Sequence, residues 1–316
     1  MIAPVTLLLF AVMANSVGSR LLRDAAWTRR SPALAIMVWQ ALTVSIVMAV
    51  FLAGLALVFP SIPASASVAG FIEACASALR QQYLTPGGQA LGAVGGFVAV
   101  AVAVRTIYFG AAGFRAVRSS RATQHLNLAV TSQPHPRWAV SVVEHDVAAA
   151  YCVPGRRARI VFTSAAMAQL DDGEVDAVIA HEHAHLHGHH DQVLAMFGAL
   201  RRAFPRLAAM SIAVVEVAHL VEMRADDVAL RGTGRFSLAK ALVGLSEAPV
   251  PAGAVAASGS ALARLQRLAE PPRPLTRIGG LFAVTSAFVL LLAPLAIAVE
   301  PAAVAAMMNT CPIIMG

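Results

Sequence analysis

The chain has 316 residues, a formal net charge of +7 and a mean hydropathy of +0.69. Hydrophobic residues make up 58% of it and charged ones 13%, whereas a water-soluble globule carries about a quarter charged residues. This balance argues against a wholly solvated enzyme, and because the arginines stand at the ends of apolar runs it favours a membrane protein over a nucleic-acid binder.

Residues 2–18 form the first apolar run, short but able to span with some thinning of the bilayer. Arg20, Arg23, Arg29 and Arg30 follow it. A cleaved signal peptide carries its positive charge before the apolar run, so a retained helix with its N-terminus outside is expected. A second span is expected at 33–59, opened by Ser31-Pro32, then an external loop at 60–88. The third span is expected at 89–108, with Arg105 snorkelling near its inner end. Arg115, Arg118 and Arg121 continue the cytoplasmic signature.

From about Arg121 polar and apolar residues mix. Residues 138–143, 147–153 and 159–163 read as strands, with a turn at 154–157. A short helix follows at 164–170, capped by Thr163 or Ser164. A small sheet of this kind offers an edge on which an extended peptide can pair.

Asp171-Asp172-Gly173-Glu174 is a helix start, with Asp171 as N-cap and Glu174 at the capping-box position. The predicted helix, about 172–189, carries His181-Glu182-His183-Ala184-His185. In this H-E-x-x-H pattern His181 and His185 share one face, one turn apart, and fit two corners of a tetrahedral zinc ion. Glu182 is then placed to act as general base on a water at the same metal. His183 points away, and His187, His189 and His190 read as a solvated helix end.

A catalytic zinc needs a third protein ligand. The expected one is Glu222, with Asp226 at i+4 bonding a ligand imidazole behind the metal. Asp191 is a rival, because the chain also reads H-E-x-x-H-x-x-G-x-x-D through Gly188. His219, three residues before Glu222, is a candidate for stabilising the transition state. Residues 193–200 and 207–221 are apolar stretches too short for confident spans, expected as buried helices of the peptidase domain, with a hairpin dipping into the leaflet as the alternative. A Gly/Ala/Ser-rich lid is expected at 232–259 and expected to be mobile, then a short helix at 262–268 bearing Arg264 and Arg267. Arg273 and Arg277 precede the last span, 278–299, and an external tail at 301–316.

The expected fold is therefore α+β and membrane-bound: residues 1–120 hold three transmembrane helices, 121–276 a cytoplasmic zinc peptidase domain, and 277–316 the fourth transmembrane helix and tail, with both termini outside. Cys75 and Cys311 fall outside and Cys152 inside. No C-x-x-C is present, which argues against a cysteine zinc site. A Cys75–Cys311 disulfide and two unpaired thiols are equally open.

The succession of spans, Tyr151-Cys152-Val153-Pro154-Gly155, the H-E-x-x-H helix, Phe204-Pro205 and Glu222-x-x-x-Asp226 together resemble the BlaR/MecR family of integral-membrane zinc peptidases. The resemblance implies a gluzincin fold on the cytoplasmic side, one Zn2+ per chain held by His181, His185 and Glu222, and Glu182 as base. It implies a cytoplasmic substrate, a winged-helix transcriptional repressor, cut in signal-dependent gene regulation. The beta-lactam sensors of that family carry a penicillin-binding domain after the last span, and this sequence has the short tail there. The partners expected are thus the repressor and the lipid bilayer, with homodimerisation open and no direct nucleic-acid binding. Two alternatives are an HtpX-like quality-control peptidase and a non-catalytic zinc-binding membrane receptor.

Overall fold

The computed structural model describes residues 2–59, 77, 87–246, 255–270 and 274–310. Among these, four helices are long and apolar enough to cross a membrane. Helix α1, Ile2–Asp24, is continuous through a π-helical turn at Ala14–Gly18. That wide turn presents Asn15, whose side-chain oxygen accepts from the Ala209 amide at 3.1 Å. The long helix starting at Ala208 has no cap of its own, so Asn15 supplies it from a distant part of the chain.

Helix α2, Pro32–Val58, opens as expected on Ser31-Pro32, since proline fits the first helical turn. Helix α3, Gly88–Thr131, does not stop at 108 as expected. Its arginines and glutamine are good helix formers and no proline interrupts it before Pro134, so the helix runs on past the apolar segment. α2 and α3 touch backbone to backbone at Gly54 and Gly95: a Cβ on Gly95 would lie 2.6 Å from the Gly54 carbonyl oxygen and 2.5 Å from the Leu57 Cβ. Arg105 donates from Nε to the Ala203 carbonyl at 2.7 Å. Most of the expected external loop, 60–76 and 78–86, lies outside the described residues, as do Cys75 and Cys311. Cys152 is free.

A four-stranded sheet follows: β1 Ser132–Pro134, β2 Ser141–Val143, β3 Ala150–Val153 and β4 Arg159–Thr163. Its order is β1-β2-β4-β3; β2 runs parallel to β4, and the other two pairings are antiparallel. β1, on an edge, was not foreseen because Pro134 reads as a breaker, and an edge is where a strand tolerates proline. The two longer strands expected at 138–143 and 147–153 are shorter than read. Trp138 is drawn off by its indole bond to Asp176 at 2.8 Å. Residues 145–149 curl, with Val147 N bonded to His145 Nδ1 and Ala149 N to Thr163 Oγ1.

Helix α4, Ser164–Gln169, is capped by the Thr163 hydroxyl. Helix α5, Asp172–His187, starts with both bonds of the capping box between Asp171 and Glu174. Helices α6, His190–Ala203, and α7, Ala208–Ala229, occupy the two apolar stretches. Phe197, Leu200, Met210, Val217 and Val221 pack with Trp39, Leu42 and Ile46 of α2 in one core. A second core, with Phe162, Val175 and Val178, joins the sheet to α5. Residues 235–246 of the expected lid are helix α8, Arg235–Ser246, with Leu238 and Ala241 buried; 247–254 lie outside the described residues. Helix α9, Val255–Ala269, covers the expected short helix, and α10, Arg277–Thr310, extends beyond the expected end at 299 into the expected tail.

Candidate active site

α5 and α7 pack against each other and bring the two halves of the motif set together. From α5, His181 and His185 turn their Nε2 atoms to a common point, 3.0 Å apart. From α7, Glu222 reaches the same point: Oε2 lies 3.4 Å from His181 Nε2 and Oε1 3.4 Å from His185 Nε2. A tetrahedron with bonds of about 2.0–2.1 Å has edges of about 3.3–3.4 Å. The two nitrogens and the Glu222 carboxylate, which turns one oxygen to each of them, stand near those distances, and among the described residues the three residues form a cluster able to hold a metal ion. Two neutral nitrogens and one carboxylate are the donors a borderline-soft divalent cation takes.

Asp226 lies beneath this face, 1% exposed, with Oδ1 3.0 Å from His181 Nδ1. That places a carboxylate within pairing distance of the ring nitrogen that faces away from the cluster. The expectation for Asp226 thus corresponds to an observed contact.

Two residues in the site were not anticipated. Arg264, on α9, donates from Nε and Nη2 to the two Asp226 oxygens at 2.8 and 2.6 Å, and from Nη1 to Glu222 at 3.0 Å. In the sequence it looks like one more juxtamembrane arginine; only the i, i+3 spacing of Arg264 and Arg267 opposite the Asp226-Asp227 pair hints otherwise, and Arg267 does pair with Asp227. His190 is the second. It is buried, not part of a solvated end, and its Nδ1 lies 3.0 Å from His185 Nδ1. His183, His187 and His189 are exposed. The chain reverses at His189, in the left-handed region at φ 47°, and a Cβ on Gly188 would sit 2.3 Å from His190 Nε2. Gly188 therefore makes room for a histidine instead of turning the chain itself. Asp191, the rival ligand, is paired with Arg121 of α3 and is not in the cluster.

Burial dominates the charge states. It opposes protonation of His181, but Asp226 and Glu222 outweigh it and hold that imidazole up at about 9 when no cation is present. Burial pushes His185 and His190 down to about 4, and their Nδ1 atoms face each other. For Glu222 burial acts upward, yet His181, His185 and Arg264 bring it down to about 2. Glu182 is raised, chiefly by burial. It lines a cavity of about 630 Å³ together with His181, Glu222, His219 and Arg264. The cavity's remaining wall is apolar, including Val214, Val215, Leu238 and Leu242, and Ala150 at the start of edge strand β3 opens onto it.

A family model, Peptidase family M48, matches residues 117–313. The chain belongs to peptidase family M48. No curated protein and no solved structure matches it. Membership of M48, with the apolar helices, makes the chain a membrane-associated metallopeptidase. It agrees with the metallopeptidase expected from the H-E-x-x-H helix. The matched region begins within α3 and takes in the sheet, both cluster-bearing helices and Arg264.

Proposed function

We propose that the chain is an integral-membrane zinc endopeptidase, with His181, His185 and Glu222 holding one Zn2+ and Glu182 acting as the catalytic base. The observation that carries this reading is the convergence of two Nε2 atoms, 3.0 Å apart, and a distant carboxylate with an oxygen 3.4 Å from each, inside a cavity that Glu182 also lines. Zinc bound there supplies polarisation of the scissile carbonyl and acidification of a water. Glu182, raised by burial, accepts the proton of the attacking water and delivers it to the nitrogen of the leaving amine. Asp226 and His190 keep the two imidazoles in register. His219, one turn before Glu222 on the cavity wall, is positioned to donate to the developing oxyanion. The exposed edge of β3 holds the substrate extended by main-chain hydrogen bonds.

The four apolar helices cross the bilayer with both termini outside, and the peptidase region lies on the cytoplasmic side, where the arginines after α1 and within α3 are concentrated. The substrate is a cytoplasmic protein. The resemblance to BlaR/MecR proteins points to a winged-helix repressor whose cutting changes transcription. The apolar cavity wall supports a second reading, quality control of unfolded or membrane segments, because such segments expose apolar side chains.

Glu182→Gln is expected to abolish cleavage while the purified protein keeps one zinc per chain by elemental analysis. Cleavage retained by that variant would refute the mechanism. Comparison of proteins cut in cells carrying wild type or Glu182→Gln separates the two substrate readings: one regulator for the first, many membrane proteins for the second.

A further inference from the structure

A larger cavity, about 1180 Å³, lies apart from the zinc cluster between α3, α6 and the 154–157 turn. Its α3 wall is a stripe at helical spacing from Thr106 to Ala129, about 35 Å long at about 1.5 Å per residue. Its two ends differ. Toward Thr106 the wall is apolar, with Gly110, Phe114, Leu200 and Ala203. Toward Ala129 it carries Arg118, Arg121, Arg156, Arg157 and Arg159. Among the described residues no carboxylate lines it. Arg121 is neutralised by Asp191, but the side chains of the other four have no hydrogen-bond or ion-pair partner among the described residues. His125 Nε2 meets the Pro154 carbonyl at 3.2 Å and pins the turn bearing Arg156 and Arg157 to α3.

We infer that this groove binds an anionic phospholipid, its acyl chain in the apolar end and its phosphate among Arg118, Arg156, Arg157 and Arg159. Three observations choose this occupant. The exposed side chains of Ile107, Tyr108 and Phe114 carry the lipid-facing surface of α3 past Arg105 as far as Arg115, so the apolar end of the groove lies at bilayer depth. From Thr106 to Arg118 is about 18 Å along the helix, about the length of an extended acyl chain running from the apolar segment to the arginines. The cations stand where that apolar segment ends, as in basic pockets that take anionic headgroups beside membrane helices. An acidic protein segment would satisfy the arginines but leave the apolar half unfilled; free phosphate would do the same.

The test uses the full chain in neutral detergent and calorimetric titration with dioctanoyl phosphatidylglycerol, dioctanoyl phosphatidylcholine, glycerol phosphate and a glutamate-rich peptide. Phosphatidylglycerol is expected to bind, and to bind at least about tenfold tighter than phosphatidylcholine. Arg156→Ala/Arg157→Ala, a change at two exposed side chains, is expected to weaken it about tenfold. Gly110→Leu fills the apolar end, where an added Cβ meets nothing within 4 Å, and is expected to remove binding while zinc content is unchanged. Equal affinity for the two lipids, or an arginine pair variant that binds like wild type, overturns the proposal. So does comparable binding of glycerol phosphate, which would make this a soluble-phosphate site, or of the peptide, which would make it a protein-docking surface. Should Gly110→Leu melt early, the arginine variant alone decides.

Discussion

Arg264 holds more of the site together than any position outside the metal motif. Its guanidinium neutralises Asp226, which is 1% exposed, and also braces Glu222. Truncating one partner of a buried ion pair leaves the other charge uncompensated and costs about 3–5 kcal/mol. Arg264→Ala is therefore expected to lower stability by about that amount in denaturant unfolding of the metal-free protein, and Arg264→Lys to recover it only in part, since lysine cannot form the two-pronged contact with Asp226. Full stability of the alanine variant would show that the pairing contributes nothing. The charge of His181 makes a second expectation. Without a cation this imidazole is protonated up to about pH 9 because two carboxylates face it, while a metal takes only the neutral ring. Zinc must displace that proton at any lower pH, so apparent affinity is expected to rise with pH, by up to about tenfold per unit between 7 and 9, and then level off. A flat profile across that interval would contradict the assignment. His190 shows where sequence reading stops. A histidine in a run of His187, His189 and His190 gives no sign of which one turns inward; the left-handed residue at 189 decides it, and no pattern of residue types announces that.

At the scale of elements, the parts specified by local chemistry were legible and the parts specified by distant partners were not. Helix α5 begins at the expected Asp171 because the capping box is a contact between neighbours three residues apart. The strand β4 and the helix α4 likewise match their reading, down to the Thr163 cap. The shortening of β2 and β3 comes from side-chain bonds across the chain, from Trp138 to Asp176 and from Thr163 to Ala149. The start of α7 is held by Asn15, almost two hundred residues earlier. The α2–α3 crossing is another long-range fact. Both Gly54 and Gly95 are in contact through backbone, the close approach that small residues permit between membrane helices. Gly95→Leu is expected to push the helices apart and lower the thermal midpoint of the detergent-solubilised protein by several degrees, about 1–3 kcal/mol of overpacking. Gly96→Leu, where an added Cβ meets only Val58 at 3.7 Å, is the control and should melt within about a degree of wild type.

The whole molecule is organised so that its catalytic region and its apolar helices share a core. Trp39 and Ile46 of α2 sit in the same cluster as Val217 and Val221, five residues and one residue before Glu222. Metal occupancy should therefore register in global unfolding. Removing zinc with a chelator is expected to lower the thermal midpoint, and readdition to restore it with a dependence on zinc concentration set by mass action. A midpoint indifferent to chelation, in protein shown to lose its zinc, would mean that the cluster is uncoupled from the rest. The chain's membrane character, its metallopeptidase class and the residues of the cluster were readable in the sequence, because they show in composition and in the short spacings within the H-E-x-x-H and E-x-x-x-D patterns. The joining of α6 and α7 onto α2 was not, because apolar faces do not name their partners.

The continuity of α3 has a mechanical corollary. From Gly88 to Thr131 no loop interrupts it, and β1 begins at the next residue. At about 1.5 Å per residue the helix is about 66 Å long. A lean of about 5° at one end moves the other by about 6 Å, about one turn's rise. With the membrane topology proposed above, such a lean would be felt first at β1, the border of the sheet opposite β3.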